Sequence, residues 1–124
     1  MLKVHTRKLG DVTILCLRGG VVAGETAILR NAVQSQGDVS VVVLDFTRVN
    51  RIDAGGLGAL LELREDLQAK GIKFRLMNVT KLVHQILQIT RLDSVFEVSS
   101  PAEVLSAVAL GRSATVVEIE PCPV

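Results

Sequence analysis

Aromatic residues are nearly absent from this chain of 124 residues, which contains three Phe and neither Trp nor Tyr. Proteins that hold single-stranded nucleic acid stack its bases on aromatic side chains, so this scarcity argues against such a site. An excess of one charge is also lacking, since 14 Lys and Arg are interspersed with 13 Asp and Glu. Neither a nucleic acid nor an anionic membrane is therefore an expected partner.

Cysteine is scarce as well. Cys16 lies in an apolar run, Cys122 lies near the C-terminal end, and no Cys-x-x-Cys spacing is present. Two isolated cysteines are typical of a reducing compartment, with Cys16 acting as a small buried apolar residue. Residues 1–10 lack the apolar segment of a signal peptide, and no apolar run approaches the ~18 residues of a membrane helix. We therefore expect a cytoplasmic protein without membrane insertion.

Hydrophobic residues, in contrast, make up 48% of the chain and are almost all Val, Leu, Ile and Ala. The segment from Val39 to Phe46 is β-branched and apolar on both faces, which is typical of a central parallel strand covered by helices. Further strands are predicted over 2–7, 12–17, 72–77 and 95–98, and helices over 25–35, 55–70, 79–87 and 101–110. The order β-β-α-β-α-β-α-β-α predicts an α/β fold. Its sheet is mixed and mostly parallel, with one antiparallel edge strand and about four covering helices.

A glycine-rich junction, Asp53-Ala54-Gly55-Gly56-Leu57-Gly58, joins the central strand to the longest predicted helix. Ligands of open α/β sheets bind where parallel strands end, which is where this junction lies. Its glycines leave backbone amides uncovered for another backbone, a carboxylate or a phosphate, and Asp53 can cap the helix. Alternatively, the glycines only form a tight turn and permit close packing. A glycine turn alone does not decide between these interpretations.

Sharper motifs for phosphate binding, catalysis or metals are absent. No Lys-Ser or Lys-Thr pair follows the glycines as a P-loop requires, and Leu61 replaces the third glycine of a dinucleotide motif. His5 and His84 have no second ligand at metal spacing, and no nucleophile elbow is present. Asp45 and Asp53 could form a carboxylate pair, although satisfying nearby backbone amides is the simpler interpretation. We expect a binding protein that is not an enzyme and has no cofactor.

The segment from Ile52 to Leu61 resembles the signature of STAS domains, the family of the bacterial anti-sigma factor antagonists. Three further segments support the resemblance: Leu17-Arg18-Gly19, Val43-Leu44-Asp45-Phe46 and Leu92-Asp93-Ser94-Val95-Phe96. The resemblance implies a STAS-like domain over residues 1–111, followed by a tail over residues 112–124. The tail contains a candidate strand at 114–119, which is either a frayed extension or an edge that pairs with a second copy in a homodimer.

The resemblance also implies a protein–protein switch. In family members that regulate sigma factors, a Ser or Thr directly after the Asp is phosphorylated by an anti-sigma factor that is also a serine kinase. The unphosphorylated protein captures that kinase and frees the sigma factor for transcription. A phosphate adds about two negative charges at a helix start, which can abolish docking of the partner.

This sequence departs from the family pattern at its regulatory position. Ala54 occupies the phosphoacceptor position, Gly55 replaces a frequent second Ser, and Val22 replaces an acidic residue of the partner-binding loop. The resemblance therefore implies a partner-binding surface formed by residues 53–58 that cannot be phosphorylated at the usual site. A phosphate on another residue such as Thr47 would contradict the expectation that binding cannot be switched off. Two other functions stay open: a module that senses a nucleotide or another ligand, and a free regulatory subunit of a transporter.

Overall fold

The computed structural model describes residues 1–110, and the order of its major elements matches the predicted order. The strands are β1 (Lys3–Leu9), β2 (Val12–Val21), β3 (Val41–Ile52), β4 (Lys73–Met77) and β5 (Glu97–Ser99). The helices are α1 (Thr26–Gln34), α2 (Ala54–Ala69), α3 (Lys81–Ile89) and α4 (Pro101–Leu110), and a 3-10 turn spans Ala23–Glu25. The predicted tail and its candidate strand lie outside the described residues.

The five strands form one sheet in the order β1-β2-β3-β4-β5. β1 pairs antiparallel with β2, and the other three pairs are parallel. The prediction of a mostly parallel sheet with one antiparallel edge strand is therefore confirmed, and β3 is the central strand.

The β2–β3 ribbon is longer than predicted, because β2 continues to Val21 and β3 continues to Ile52. The predicted strand ends at Phe46, before a more polar segment. Instead, pairing continues across two register shifts and ends with Val21 opposite Ile52. Main-chain hydrogen bonds do not depend on side-chain polarity, and buried Val49 anchors the extension in the core.

The sheet is covered on both faces. Helices α1, α2 and α3 bury Leu29, Leu60 and Leu87 against one face, and none of these three side chains is more than 1% exposed. Helix α4 covers the other face through Val104 and Val108. The residues buried beneath α4 are Val12, Ile14, Cys16, Val41, Val43 and Met77.

The prediction that Cys16 is a small residue buried in an apolar layer is confirmed, whereas its disulfide bond was not predicted. Within residues 1–110, no helix combines the length and the hydropathy that a membrane span needs.

Candidate functional site

The glycine-rich junction begins at Asp53, which separates the end of β3 from the first turn of α2. Asp53 has extended backbone angles, and its Oδ1 accepts a hydrogen bond from the backbone amide of Gly56 at 2.8 Å. This is the geometry of a helix N-cap, in which a side-chain oxygen satisfies an amide that has no partner within the helix. The prediction that Asp53 caps the helix is confirmed.

The second carboxylate oxygen of Asp53 reaches another part of the chain. Oδ2 accepts a hydrogen bond from the backbone amide of Ala23 at 3.2 Å, and the backbone amide of Asp53 donates to the carbonyl of Val21 at 3.3 Å. The start of α2 is thus fastened to the segment that follows β2. The sequence did not predict Ala23 as part of this site, because the contact is made by its backbone amide and does not depend on its side chain.

The pKa of the Asp53 carboxyl lies below its ordinary value. The largest cause is the hydrogen bond from the Gly56 amide, followed by the one from Ala23, with smaller contributions from the Gly55 amide and the charge of Arg51. Desolvation acts in the opposite direction and is the weaker influence. Asp53 is therefore an anion at neutral pH, bound to the positive end of its own helix.

The glycines of the junction fall into two groups. A Cβ placed on Gly56 would lie 1.8 Å from the carbonyl oxygen of Val21, and one on Gly55 would lie 2.5 Å from the Cβ of Ala23. These two glycines are required for close packing inside the molecule. A Cβ on Gly58 would have no atom of its surroundings within 4 Å, so packing within the described residues does not require a glycine there.

The six predicted partner-binding residues differ in accessibility. Asp53 and Ala54 are exposed, Gly55 and Gly58 are partly exposed, and Gly56 and Leu57 are buried. Leu57 is 8% exposed and belongs to the hydrophobic core. A partner could contact the exposed and partly exposed residues directly, whereas the buried Gly56 and Leu57 serve to position the helix.

Two of the backbone amides at the start of α2, those of Gly56 and Leu57, are already occupied. Gly56 donates to the side chain of Asp53, and the amide of Leu57 donates to the Asp53 carbonyl at 2.9 Å. A helix N-terminus binds a phosphate or a carboxylate through such amides, and here Asp53 supplies that carboxylate from the chain itself. The arrangement does not favour a nucleotide or another anion at this position.

Asp45 belongs to a different environment from Asp53. It is 3% exposed, its Oδ1 accepts a hydrogen bond from the Thr47 amide at 2.9 Å, and the side-chain amide of Asn78 lies 3.4 Å from both carboxylate oxygens. Asp45 pairs with Cys16, and Ile52, the neighbour of Asp53, pairs with Val21, so five to six residues of β2 separate the two aspartates, which corresponds to roughly 17–20 Å at the rise of a strand. The interpretation of Asp45 as a partner of backbone amides is confirmed, and the carboxylate pair is wrong.

Other candidate groups are not brought together. Glu62 forms a salt bridge with Arg30 of α1 at 2.7 Å, which joins α1 to α2. His5 and His84 are both exposed and lie on β1 and α3. Among residues 1–110, no group of three or more His, Cys, Asp or Glu side chains could hold a metal ion.

Comparison with known proteins identifies the fold and the family. A sequence model of the STAS domain family matches residues 3–104. The chain belongs to the STAS domain family. The predicted resemblance is thereby confirmed.

Several solved structures share this STAS fold at low sequence identity. An anti-sigma factor antagonist from Mycobacterium paratuberculosis superposes with a TM-score of 0.75 at 19% identity, covering 87% of this chain and 94% of that one. The anti-sigma factor antagonist SpoIIAA of Bacillus, in its unphosphorylated form, gives a TM-score of 0.70 at 19% identity and covers 92% and 100%. A sulfate transporter family protein from Wolinella succinogenes gives 0.70 at 22% identity and covers 82% and 87%.

Proposed function

We propose that this STAS domain is a protein-binding regulator of the anti-sigma factor antagonist type. In this proposal it binds an anti-sigma factor with serine kinase activity, controls sigma-factor-dependent transcription in the cytoplasm, and does not act as an enzyme. The observation that carries the proposal is the fixed, exposed start of α2, where Asp53 is bound from two sides and Ala54 faces solvent. We assign the domain to residues 1–111 and the tail to residues 112–124.

The docking surface that we propose consists of Asp53, Ala54, Gly55 and Gly58, with Gly56 and Leu57 holding it in place. Gly58 gives particular support. A glycine inside a helix costs about 1 kcal/mol relative to alanine, and nothing packs against this one within the described residues. A partner whose backbone approaches α2 closely would explain why no side chain is present there.

We further propose that partner binding is not regulated by phosphorylation at the usual position. Ala54 has no hydroxyl group, although its place after the N-cap is open to a kinase. Two hydroxyl groups on the segments that precede α2 are already engaged, since Thr26 donates to the carbonyl of Ala23 and Thr47 donates to Asp45. Those bonds disfavour either threonine as a substitute acceptor.

The alternative functions have less support. A nucleotide or anion sensor would place its anion at the start of α2, where the Asp53 carboxylate already accepts the hydrogen bond of the Gly56 amide. A free regulatory subunit of a transporter agrees with the fold shared with the sulfate transporter family protein, but that likeness extends to the fold alone. Neither alternative accounts for the open position at Gly58.

A binding experiment tests the docking surface. Candidate partners are the kinase-type anti-sigma factors encoded in the source organism, and calorimetry would measure their affinity for the wild type and for Gly58→Leu. We expect Gly58→Leu to abolish binding by obstructing the surface. The matched control is Ala69→Leu, an exposed position about 16 Å away at the other end of the same helix. Equal affinity of both variants, or no binding of any such factor to the wild type, would contradict the proposal.

A second experiment tests the missing phosphoacceptor. Incubation with ATP and the bound kinase, followed by intact-mass spectrometry, should show no phosphate on the wild type and one phosphate on Ala54→Ser. A phosphate on the wild type, for example at Thr47, would show that regulation uses another residue. If a kinase bound the Ala54→Ser variant but did not phosphorylate Ser at position 54, this result would count against the assignment of position 54 as the phosphoacceptor position.

A further inference from the structure

Pairing of the strands brings together cations that are far apart in the sequence. Lys3 of β1 lies opposite Arg18 of β2, and Arg18 lies opposite Arg48 of β3. Directly paired residues on neighbouring strands point to the same face of a sheet. Because adjacent strands are about 4.8 Å apart, the three backbone positions span only about 10 Å.

Arg51 extends this row towards the glycine-rich junction. It pairs with Gly20, and a Cβ on Gly20 would lie 3.5 Å from the Cβ of Arg51. The residues buried beneath α4 on this face of β2 end at Cys16, and Arg18 is the next residue on the same face. Lys3, Arg18, Arg48 and Arg51, here called the cationic face, therefore occupy the part of the sheet beyond the residues that α4 buries.

Arg51 interacts electrostatically with Asp53, but within residues 1–110 no acidic side chain forms a salt bridge with the cationic face. All four side chains are exposed, and none of them makes a hydrogen bond or a salt bridge there, where the salt bridges involve other residues. Like charges directly opposite each other destabilise a sheet, and two such pairs occur in succession. The arrangement thus opposes folding and is available to an external anion.

We propose that the cationic face binds a carboxylate-rich segment of a protein partner. Arginine presents a planar fork of donors that matches a carboxylate, and three of the four residues are arginines. The face is also continuous with the proposed docking surface, because Arg51 is two residues from Asp53. A partner that covers the start of α2 can therefore place acidic residues on it.

Two other anionic occupants fit the face less well. Specific DNA-binding proteins commonly neutralise about six to ten phosphates, which is more than four cations can contact. A membrane-bound surface normally adds apolar side chains to its cations. Three of the four large exposed apolar side chains in residues 1–110 belong to the opposite side of the sheet: Leu82 and Ile89 on α3, and Val98 on β5. The fourth is Met1 at the N-terminus.

This inference adds a contact to the proposed function but can be tested without an anti-sigma factor. The probe is a short oligoglutamate peptide, titrated at low salt into the isotopically labelled full chain and followed by NMR. We expect amide shifts that cluster at Lys3, Arg18, Arg48 and Arg51 and an affinity that falls as salt rises. An oligoglutamine peptide of equal length should cause no such shifts.

Charge reversal supplies the decisive comparison. The double variant Arg18→Glu/Arg48→Glu should bind oligoglutamate at least about tenfold more weakly, because two charge-assisted contacts are removed. The control is Lys70→Glu/Lys81→Glu, which makes the same change in net charge at exposed positions on α2 and α3. Unchanged amide shifts away from the substitutions show that each variant is folded, and Arg51→Glu provides a single-site check.

Several results would overturn the inference. One is an equal loss of affinity in the control variant, and another is a set of shifts located away from the cationic face. Tighter binding to duplex DNA or to phosphatidylglycerol vesicles would assign the face to those partners instead. If the peptide bound only to the variant Glu118→Gln/Glu120→Gln, the acidic residues of the tail would be the occupant of the cationic face. If oligoglutamate binds as expected but no anti-sigma factor does, the proposed function fails and this inference stands.

Discussion

Asp53 accepts a hydrogen bond from the backbone amide of Ala23, 30 residues earlier in the chain, at 3.2 Å. The other oxygen of the same carboxylate caps α2 through Gly56. One side chain therefore fixes the first turn of α2 relative to the end of β2, and Ala54 takes its position from both contacts. A surface that is ordered before it meets a partner loses less conformational entropy on binding.

Acidification should weaken the fold through Asp53. Its pKa in the folded protein is held below the ordinary value of 3.8, so its contribution to stability is present above that value and is lost as pH falls through the folded pKa. We expect chemical denaturation to show a smaller loss of stability below pH 3.8 for Asp53→Asn than for the wild type. Glu65→Gln is the control, since Glu65 is exposed and makes no hydrogen bond or salt bridge within the described residues. A parallel loss in all three proteins would contradict the prediction.

The two capped helices offer a matched comparison. Thr80 caps α3 by accepting a hydrogen bond from the Val83 amide, as Asp53 caps α2. Thr80→Ala should lower the free energy of unfolding by about 1 kcal/mol and leave partner binding unchanged. Asp53→Ala should lower both stability and affinity, as measured by urea denaturation and calorimetry. If Thr80→Ala reduced affinity equally, general destabilisation would explain the effect of Asp53→Ala.

The glycines of the junction should respond differently to the same substitution. Gly56→Ala forces a Cβ against the Val21 carbonyl and should lower the free energy of unfolding by about 1–3 kcal/mol. Gly58→Ala enters open space within the described residues and should raise it by about 0.5–1 kcal/mol through helix propensity. Thermal denaturation of the two variants distinguishes them, and equal melting temperatures would be inconsistent with the packing described for Gly56.

Local features of this fold could be predicted from the sequence. The periodicity of α3 and the Ser100-Pro101 start of α4 depend on residues that are close together in the chain, and both helices are present. A glycine that follows the last turn of a helix is typical of a left-handed cap, and Gly71 after α2 has a φ of 73°. The capping role of Asp53 was predictable for the same reason.

Features that depend on strand register could not be predicted. The contact between Asp53 and Ala23 and the clash that excludes a side chain at Gly56 arise only because β2 ends beside β3. The sequence indicated interspersed charges, whereas pairing places Arg18 opposite Arg48. Register is set by long-range pairing and by bulges, which a local pattern does not encode.

A negative charge at Ala54 should separate stability from binding. Glutamate in the first turn of a helix interacts favourably with the helix dipole, so Ala54→Glu should raise the free energy of unfolding by about 0.3–1 kcal/mol. The same charge should weaken partner binding, as a phosphate at this position would. Denaturation and calorimetry on one preparation measure both effects, with Ala54→Gln as the uncharged control. Full affinity in Ala54→Glu would place the docking surface elsewhere.

Relief of repulsion at Arg18 should stabilise the sheet. Arg18 lies between Lys3 and Arg48, so Arg18→Thr removes two like-charge pairs and should raise the free energy of unfolding by about 0.2–1 kcal/mol. The control is Lys8→Thr, because Lys8 lies opposite the uncharged Thr13 on the same two strands. Since salt screens exposed charges, the difference between the two variants should shrink in concentrated NaCl. A gain of the same size in Lys8→Thr, or one that salt does not reduce, would indicate strand propensity rather than charge repulsion.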